Sequence, residues 1–279
     1  MIKIRDVSKK YGKQIALNKL NLEIKESEFF AILGPNGAGK TTISKLISTL
    51  ILPNGGSINI DNEILTRDSV HIKKKISLMS QEYSLRNDMT VSQIMELQGR
   101  LYQIPKEKRL RKTNELLEFC DLINEKDKKV RNLSGGMKRK LMISRALLTE
   151  PKILLLDEPT VGLDPISRRH IWKLLRNLNE NGLTIILTTH YIEEAQLLCD
   201  RVAMLNKGKL INCKVPKQFI DELGNIAVDV YENNEIKNYY FNKKDDAIRF
   251  VNILENRFEI RSTTLEDVFI EVVGERIDA

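Results

Sequence analysis

The segment that most limits the possible folds is residues 34–41, Gly-Pro-Asn-Gly-Ala-Gly-Lys-Thr, which matches the pattern G-x-x-x-x-G-K-[ST]. Residues 29–33 before it are apolar and typical of a strand, and residues 40–50 after it carry apolar side chains at helical spacing. In a strand, loop and helix of this kind, the loop N–H groups and the positive end of the helix dipole face phosphate. The segment therefore predicts an α/β fold that binds a nucleotide, and a chance glycine-rich turn is a remote alternative.

The pattern of this loop predicts a role for several individual side chains. Lys40 is predicted to reach the β- and γ-phosphates, the Thr41 hydroxyl to bind Mg²⁺, and Thr42 to contact an α-phosphate. The predicted nucleotide-binding residues of the loop are Gly34, Pro35, Asn36, Gly37, Ala38, Gly39, Lys40, Thr41 and Thr42.

Two adjacent carboxylates follow a second apolar strand. Residues 153–156 are uninterrupted Ile and Leu, and Asp157 and Glu158 come directly after them. The carboxyl ends of strands line the ligand crevice of an α/β sheet, so we expect Asp157 to hold a metal through water and Glu158 to act as general base. Ordinary strand-end charges or a helix cap are weaker alternatives, because two carboxylates at the end of such a strand need a compensating cation.

His190 and Gln81 also follow predicted strands, at residues 184–189 and 76–80. His190 is expected to lie beside Asp157 if the two strands are neighbours, where it can donate a hydrogen bond to a γ-phosphate. A single His is structural as often as catalytic, and both interpretations stay open. Gln81 is a candidate sensor of metal or water, although a lone Gln is poor support for that role.

A second glycine-rich segment, Leu-Ser-Gly-Gly-Met at residues 133–137, opens a helix of its own. It implies a second phosphate-binding surface, because a helix N-terminus of small residues attracts anions. One nucleotide cannot easily contact both surfaces of one chain. The two segments together predict ATP held between two copies.

The order of elements predicts an α/β fold class, a P-loop NTPase with a mainly parallel core sheet. Alternating strands at residues 2–7 and 20–25 suggest an N-terminal antiparallel β-subdomain, and the pattern at residues 85–132 suggests a helical insertion. Residues 1–216 are predicted to form the ATPase domain and residues 217–279 a small α+β appendage. A capping box of Thr263 and Glu266 is expected to open the last helix of this appendage.

Composition excludes several classes of protein. The chain has 279 residues, and no apolar run approaches the roughly 18 residues needed to cross a bilayer, so a cytoplasmic location is expected. The net charge of +7 permits an anionic partner, but the basic runs are interleaved with Glu and Asp, and no nucleic acid partner is expected. Cys120, Cys199 and Cys213 lack metal-ligand spacing, which favours reduced thiols.

Taken together, these motifs resemble those of the ATP-binding subunits of ABC transporters, over about residues 1–215. The matching segments, in the family's order, are residues 34–41 with the Walker A loop, Gln81 with the Q-loop, residues 133–137 with the signature motif, residues 153–158 with the Walker B strand, residues 162–164 with the D-loop and His190 with the switch histidine. Met137 departs from the family pattern, where many members carry Gln.

The resemblance implies a head-to-tail dimer, either a homodimer or a pair of related ATPase subunits. Ser134, Gly135 and Gly136 of one copy are then expected to contact the γ-phosphate of ATP held by the loop of the other. Tyr11 matches the position that stacks on adenine. The implied catalytic residues are Glu158, His190, Gln81 and Lys40, the implied metal-binding residues are Thr41, Gln81 and Asp157, and the implied cofactors are ATP and Mg²⁺.

The resemblance also implies a partner, an integral membrane permease whose short helices dock on the helical insertion. Residues 263–269 look like the closing segment of ATPases paired with type-two export permeases, which suggests export and a peripheral location on the inner face of the cell membrane. The alternatives are a soluble ATPase of the same superfamily, acting in DNA repair, translation or iron–sulfur assembly, and a degenerate nucleotide-binding scaffold. Complete Lys40, Asp157, Glu158 and His190 argue against the scaffold.

Overall fold

The computed structural model describes residues 2–80, 84–232 and 235–274. Its strands are β1 (Ile2–Tyr11), β2 (Gln14–Ile24), β3 (Phe29–Leu33), β4 (Gly55–Ile60), β5 (Glu63–Ile64), β6 (Ile76–Met79), β7 (Ile153–Asp157), β8 (Thr184–Thr189), β9 (Arg201–Asn206), β10 (Lys209–Lys214), β11 (Ile226–Glu232), β12 (Glu235–Phe241) and β13 (Phe258–Ser262). Its α-helices are α1 (Lys40–Ile47), α2 (Val70–Lys73), α3 (Val91–Leu101), α4 (Lys106–Phe119), α5 (Gly135–Leu147), α6 (Pro165–Glu180), α7 (Ile192–Leu198), α8 (Pro216–Leu223), α9 (Lys244–Val251) and α10 (Leu265–Gly274).

A mainly parallel sheet forms the centre of the molecule, in the order β10-β9-β3-β8-β7-β6. Its neighbours pair in parallel except for β9 and β10, which form an antiparallel hairpin. Alternate residues of β3 enter different cores: Phe29 and Leu33 pack on one face of the sheet, and Phe30 and Ile32 on the other. Because both faces are covered, the strand is apolar throughout.

The N-terminal strands form the predicted antiparallel sheet, in the order β2-β1-β4-β5. Side chains from β1, β2 and β4 share one core with Ile43, Leu46 and Ile47 of α1. This packing places the start of α1, and the loop before it, between the two sheets.

The helical insertion contains α3 and α4. Thr90 and Gln93 form a reciprocal capping box at the start of α3, and α4 begins directly after Pro105. The buried faces of both helices, with Met95 and Leu117, join the same core as α5, α6 and α7.

The C-terminal region makes two kinds of contact. A sheet in the order β12-β11-β13 and helix α9 share a small core of their own around Val228 and Val230. Helices α8 and α10, in contrast, bury Phe219, Leu265 and Val268 in the large core. The domain boundary near residue 216 stays a prediction.

The predicted capping box of α10 is wrong by one residue. Thr264, not Thr263, caps the helix: its N–H donates to Asp267 Oδ2 at 2.7 Å, and its Oγ1 accepts from Asp267 N at 3.4 Å. Thr263 instead continues the extended chain, because its N–H donates to the carbonyl oxygen of Asn225 at 3.1 Å. Glu266 is exposed and takes no part in the cap.

The structure also bears on the membrane and on the thiols. Across the described ranges, none of the helices has both the length and the apolar character that a bilayer crossing requires. All three cysteines are free thiols, as predicted; Cys120 and Cys199 are buried, while Cys213 is half-buried. Burial raises the pKa of Cys120 to about 11.

Candidate functional site

The parallel sheet brings the separate sequence motifs to one edge. Strand β8 pairs with β3 on one side and with β7 on the other, so all three strands end together. The glycine-rich loop follows β3, Asp157 ends β7, and His190 follows β8. The two strands are neighbours, as the prediction for His190 required, and the carboxylate that His190 approaches is Glu158, next to the predicted Asp157.

The backbone of the glycine-rich loop is open to a ligand. Gly37 and Gly39 have φ of 82° and 107°, which other residues rarely adopt. Within the described residues, the N–H groups of Gly37, Gly39 and Lys40 donate to no protein carbonyl. These donors lie at the N-terminus of α1, where an anion is favoured.

Lys40 is held in the loop by backbone oxygens. Its Nζ donates to the carbonyl oxygens of Gly34 at 2.7 Å and Pro35 at 3.2 Å. Burial lowers the pKa of Lys40, while the charges of Glu158 and Asp157 oppose that shift. The ammonium group is therefore placed between the loop and two carboxylates.

Thr41 and Asp157 form an oxygen-rich pair suited to a small hard cation. Asp157 Oδ1 accepts hydrogen bonds from the hydroxyls of Thr41, at 3.3 Å, and Thr188. The described residues contain no group of three His, Cys, Asp or Glu side chains able to hold a metal. A hydroxyl and one carboxylate fit Mg²⁺, which keeps water and phosphate oxygens as its other ligands. Gln81, the third predicted ligand, lies outside the described residues.

The side chains of Glu158 and His190 approach each other at the same edge of the central sheet. His190 Nδ1 lies 3.1 Å from Glu158 Oε2, and the Glu158 side chain is 10% exposed. Glu158 has φ of 50°, an uncommon conformation for a residue other than Gly, and its N–H donates to the carbonyl oxygen of Thr188 at 2.9 Å. The extended conformation of β7 therefore ends at Glu158.

A cavity of about 540 Å³ joins most of these groups. Its lining residues are Tyr11, Gln14, Ala16, Asn36, Gly37, Gly39, Lys40, Thr41, Thr42, Glu158, Val161 and His190. Gln14, Ala16 and Val161 were not predicted. The hairpin turn after Tyr11 was a usable signal for Gln14, because these two residues pair across it.

The segment at residues 133–137 contributes no residue to that cavity. Ser134 caps α5, and its side chain accepts a hydrogen bond from Met137 N at 3.2 Å. A Cβ at Gly136 would lie 2.8 Å from Ser167 Oγ, so glycine allows α5 and α6 to approach closely. The Met137 side chain is partly buried and packs on the large core.

Comparison with known proteins agrees with this arrangement. The family model described as "ABC transporter" matches residues 17–161. The Nod factor export ATP-binding protein I of Burkholderia orbicola is 34% identical, over 98% of this chain and 97% of that protein. This chain belongs to the ABC transporter family. The linearmycin resistance ATP-binding protein LnrL of Bacillus subtilis is 35% identical, over 80% of this chain and 72% of that protein.

Solved ABC cassettes have the same fold. CbiO1 of Clostridium perfringens, part of an ABC transporter complex, has a TM-score of 0.73 at 31% identity, over 78% of this chain and 89% of that one. A dimeric ATP-binding cassette solved in a post-hydrolysis state with ADP and Pi has a TM-score of 0.69 at 33% identity, over 77% of this chain and 98% of that one. The present chain is an ABC ATP-binding subunit, an ATPase coupled to transport.

Proposed function

We propose that this ABC subunit hydrolyses Mg-ATP at two composite sites of a head-to-tail dimer and so powers export by a separate membrane permease. One observation carries the composite site. The exposed start of α5, at Ser134 and Gly135, shares the features of a phosphate-binding helix end but lies outside the cavity that Lys40 and Glu158 line. A second copy is needed to bring the two surfaces to one nucleotide.

In this proposal, several residues of the cavity and the adjacent Asp157 have assigned roles. Tyr11, 46% exposed at the cavity wall, stacks on the adenine, and residues 34–42 bind the phosphates. Lys40 stabilises negative charge on the β- and γ-phosphates. Mg²⁺, when bound by Thr41 and Asp157, supplies further neutralisation of that charge.

Glu158 is the proposed general base for the attacking water, and His190 holds that water and the γ-phosphate in line. The 3.1 Å approach of His190 Nδ1 to Glu158 Oε2 supports both roles, because either group can then contact a water between them and the phosphate. Phosphoryl transfer depends mainly on such positioning and on charge stabilisation.

The test uses the Glu158→Gln variant of the full chain. It is expected to bind ATP and form stable dimers, because the amide keeps the shape of the side chain but cannot take a proton, while kcat falls at least about 100-fold. Light scattering after size-exclusion chromatography gives the dimer, and phosphate release gives kcat. A variant that turns over at the wild-type rate removes Glu158 from the base role.

Ser134→Arg in the Glu158→Gln background separates the two halves of the site. It is expected to bind a fluorescent ATP analogue as a monomer, because Lys40 is intact, and to lose the ATP-dependent dimer. Lys40→Ala in the same background is the control and loses both. Dimers that still form in the Ser134→Arg variant contradict the composite site.

Export by a membrane permease is the second part of the proposal. The Burkholderia relative is named for Nod factor export and the Bacillus relative for linearmycin resistance. A groove of about 500 Å³ in the helical insertion, lined by Met89, Leu97 and charged neighbours, offers a docking surface. We place the subunit on the inner face of the cell membrane through this contact, and co-purification of the permease with the tagged chain tests it.

A further inference from the structure

Glu194, in the first turn of α7, is a buried carboxylate that the proposed mechanism does not use. The residue is 1% exposed. Its Oε1 accepts hydrogen bonds from Trp172 Nε1, at 2.9 Å, and from Thr160 Oγ1, and its Oε2 accepts from Thr189 Oγ1 at 2.7 Å. All three partners donate, which matches the acceptor-only carboxylate.

In the described part of the chain, the other buried carboxylates that lie outside the nucleotide site are paired with arginine. Glu28 binds Arg201, and Asp267 binds Arg261. Within the described ranges, Glu194 forms no ion pair with Lys, Arg or His, and neutral donors alone replace the water that it has lost. Burying a carboxylate without a positively charged partner costs free energy. The residues that Glu194 binds therefore indicate what this carboxylate contributes to the protein.

The three donors come from segments that flank the catalytic residues. Thr160 lies two residues after Glu158, and Thr189 lies directly before His190. The Thr189 hydroxyl also accepts a hydrogen bond from Tyr191 N at 2.9 Å. This bond joins the residues directly before and directly after His190. Glu194 thereby connects the chain segments that carry Glu158 and His190, whose side chains approach each other to 3.1 Å.

Helix α6 makes a second contact with the same turn. Arg168 lies one helical turn before Trp172, on the same face of α6. Its guanidinium lies 4.5 Å from the centre of the Tyr191 ring, and that ring lies 4.4 Å from the ring of His190. The contact between Arg168 and Tyr191 joins α6, which begins directly after the segment at residues 162–164, to the turn at His190.

We propose that Glu194 is a positioning residue for ATP hydrolysis. It fixes the distance between Glu158 and His190 by holding Thr160, Thr189 and Trp172 on one carboxylate. This inference rests on the roles proposed above for Glu158 and His190. It concerns the geometry of catalysis and not the binding of ATP, because Glu194 does not line the nucleotide cavity.

The test compares Glu194→Ala and Glu194→Gln in the full chain together with its permease. In Glu194→Ala, kcat is expected to fall about 10- to 100-fold, while KM for ATP changes less than about threefold. Glu194→Gln is expected to lie between the wild type and Ala. Its amide oxygen still accepts from Trp172 and Thr160, but its NH₂ group faces a Thr189 hydroxyl that is already an acceptor for Tyr191 N.

Leu175→Ala is the matched control for lost stability. Leu175 is fully buried on the same helix as Trp172 and contributes to the large core without lining the cavity. The variant is expected to lower the melting temperature as much as Glu194→Ala does, while kcat stays within about twofold of the wild type. A merely structural Glu194 predicts the same kcat for both variants at equal loss of stability.

Trp172 gives an independent readout, because it is the single tryptophan of the chain. Its one indole N–H resonance should move in Glu194→Ala and in Glu194→Gln, and stay in place in Leu175→Ala. This spectrum shows whether the hydrogen bond at Glu194 is lost in a folded protein. If Glu194→Ala does not fold, Glu194→Gln decides the question.

Two outcomes overturn the proposal. One is a wild-type kcat in a Glu194 variant whose indole resonance has moved; another is an equal loss of kcat in Leu175→Ala and Glu194→Ala. Glu158→Gln, measured in parallel, separates this failure from failure of the proposed function. If Glu158→Gln is inactive and Glu194→Ala is fully active, only the role of Glu194 is wrong.

Discussion

At the scale of single residues, the nucleotide loop depends on glycine for two different reasons. Gly37 needs a positive φ of 82°, but a Cβ there would meet nothing within 4 Å. Gly39 needs a φ of 107°, and a Cβ there would also lie 2.7 Å from the carbonyl oxygen of Ala16. The first position is restricted by conformation alone, while the second is also restricted by the neighbouring strand β2.

This difference predicts unequal effects of the same substitution. Gly37→Ala is expected to cost about 1–2 kcal/mol of unfolding free energy, the usual penalty for a left-handed conformation. Gly39→Ala is expected to cost more, because β2 must move as well. Urea denaturation of both variants without nucleotide measures the two costs, and equal losses would contradict the role of the Ala16 contact.

The residues of the candidate site, and the buried residue that supports them, differ in how well the sequence could predict them. Lys40, Thr41, Asp157 and Glu158 belong to patterns with a fixed spacing, so their grouping was predictable from the order of strands and loops. Glu194 was not, because nothing local marks its acceptor role: the three donors come from β8, α6 and the chain after β7, and only the packing joins them.

At the scale of elements, the strands buried on both faces were predicted well. The bounds of β3 and β8 agree with the apolar patterns, since every residue of each strand is buried. The short elements β5 and α2 have too few residues to establish a period. Helix α8 was missed because Pro216, which opens it as a first-turn proline, was interpreted only as a boundary.

The start of α10 gives a prediction about pH. Burial raises the pKa of Asp267, but hydrogen bonds from Arg261 and Thr264 lower it more, and the net pKa falls below the usual 3.8. The stabilisation is therefore complete above the unfolded-state pKa and is lost as pH falls through the folded-state pKa. Asp267→Asn is expected to lose about 1–3 kcal/mol at neutral pH.

The measurement is the urea midpoint of both proteins between neutral pH and about pH 3. The difference between the wild type and Asp267→Asn should begin to shrink below about pH 4, where the unfolded chain takes up a proton that native Asp267 takes up only at lower pH. Glu266→Gln removes the same charge from an exposed neighbour and should leave the midpoint almost unchanged. A difference that is independent of pH would show that the Asp267 charge is not the cause.

At the scale of the whole molecule, helix α7 links the catalytic edge to the C-terminal region. Its first turn holds Glu194, and two residues later Gln196 Oε1 accepts a hydrogen bond from Leu265 N of α10 at 2.8 Å. Helices α8 and α10 thus pack on the element that follows His190. The sequence predicted a domain boundary near residue 216. That helices α8 and α10 pack on the large core could be seen only in the structure.

The groove of the helical insertion is the docking surface that we propose for the permease. Leu97 is 39% exposed in the groove of the helical insertion, beside Arg86, Arg100 and Glu96. An apolar side chain among charges suits the centre of a docking site that a short helix covers. Leu97→Glu places a charge at that centre, and it is expected to reduce the amount of permease that co-purifies with the tagged chain by about tenfold or more.

Leu110→Glu is the matched control, because Leu110 is 52% exposed on α4 in the same insertion but lies outside the groove. A general loss of solubility or folding would affect both variants, whereas loss of a specific contact affects only Leu97→Glu. Quantified co-purification from detergent extracts distinguishes them. If both variants retain the permease equally, the contact lies on another face, and the adjacent surface at Leu101 and Tyr102, 69% and 54% exposed, is the next position to substitute.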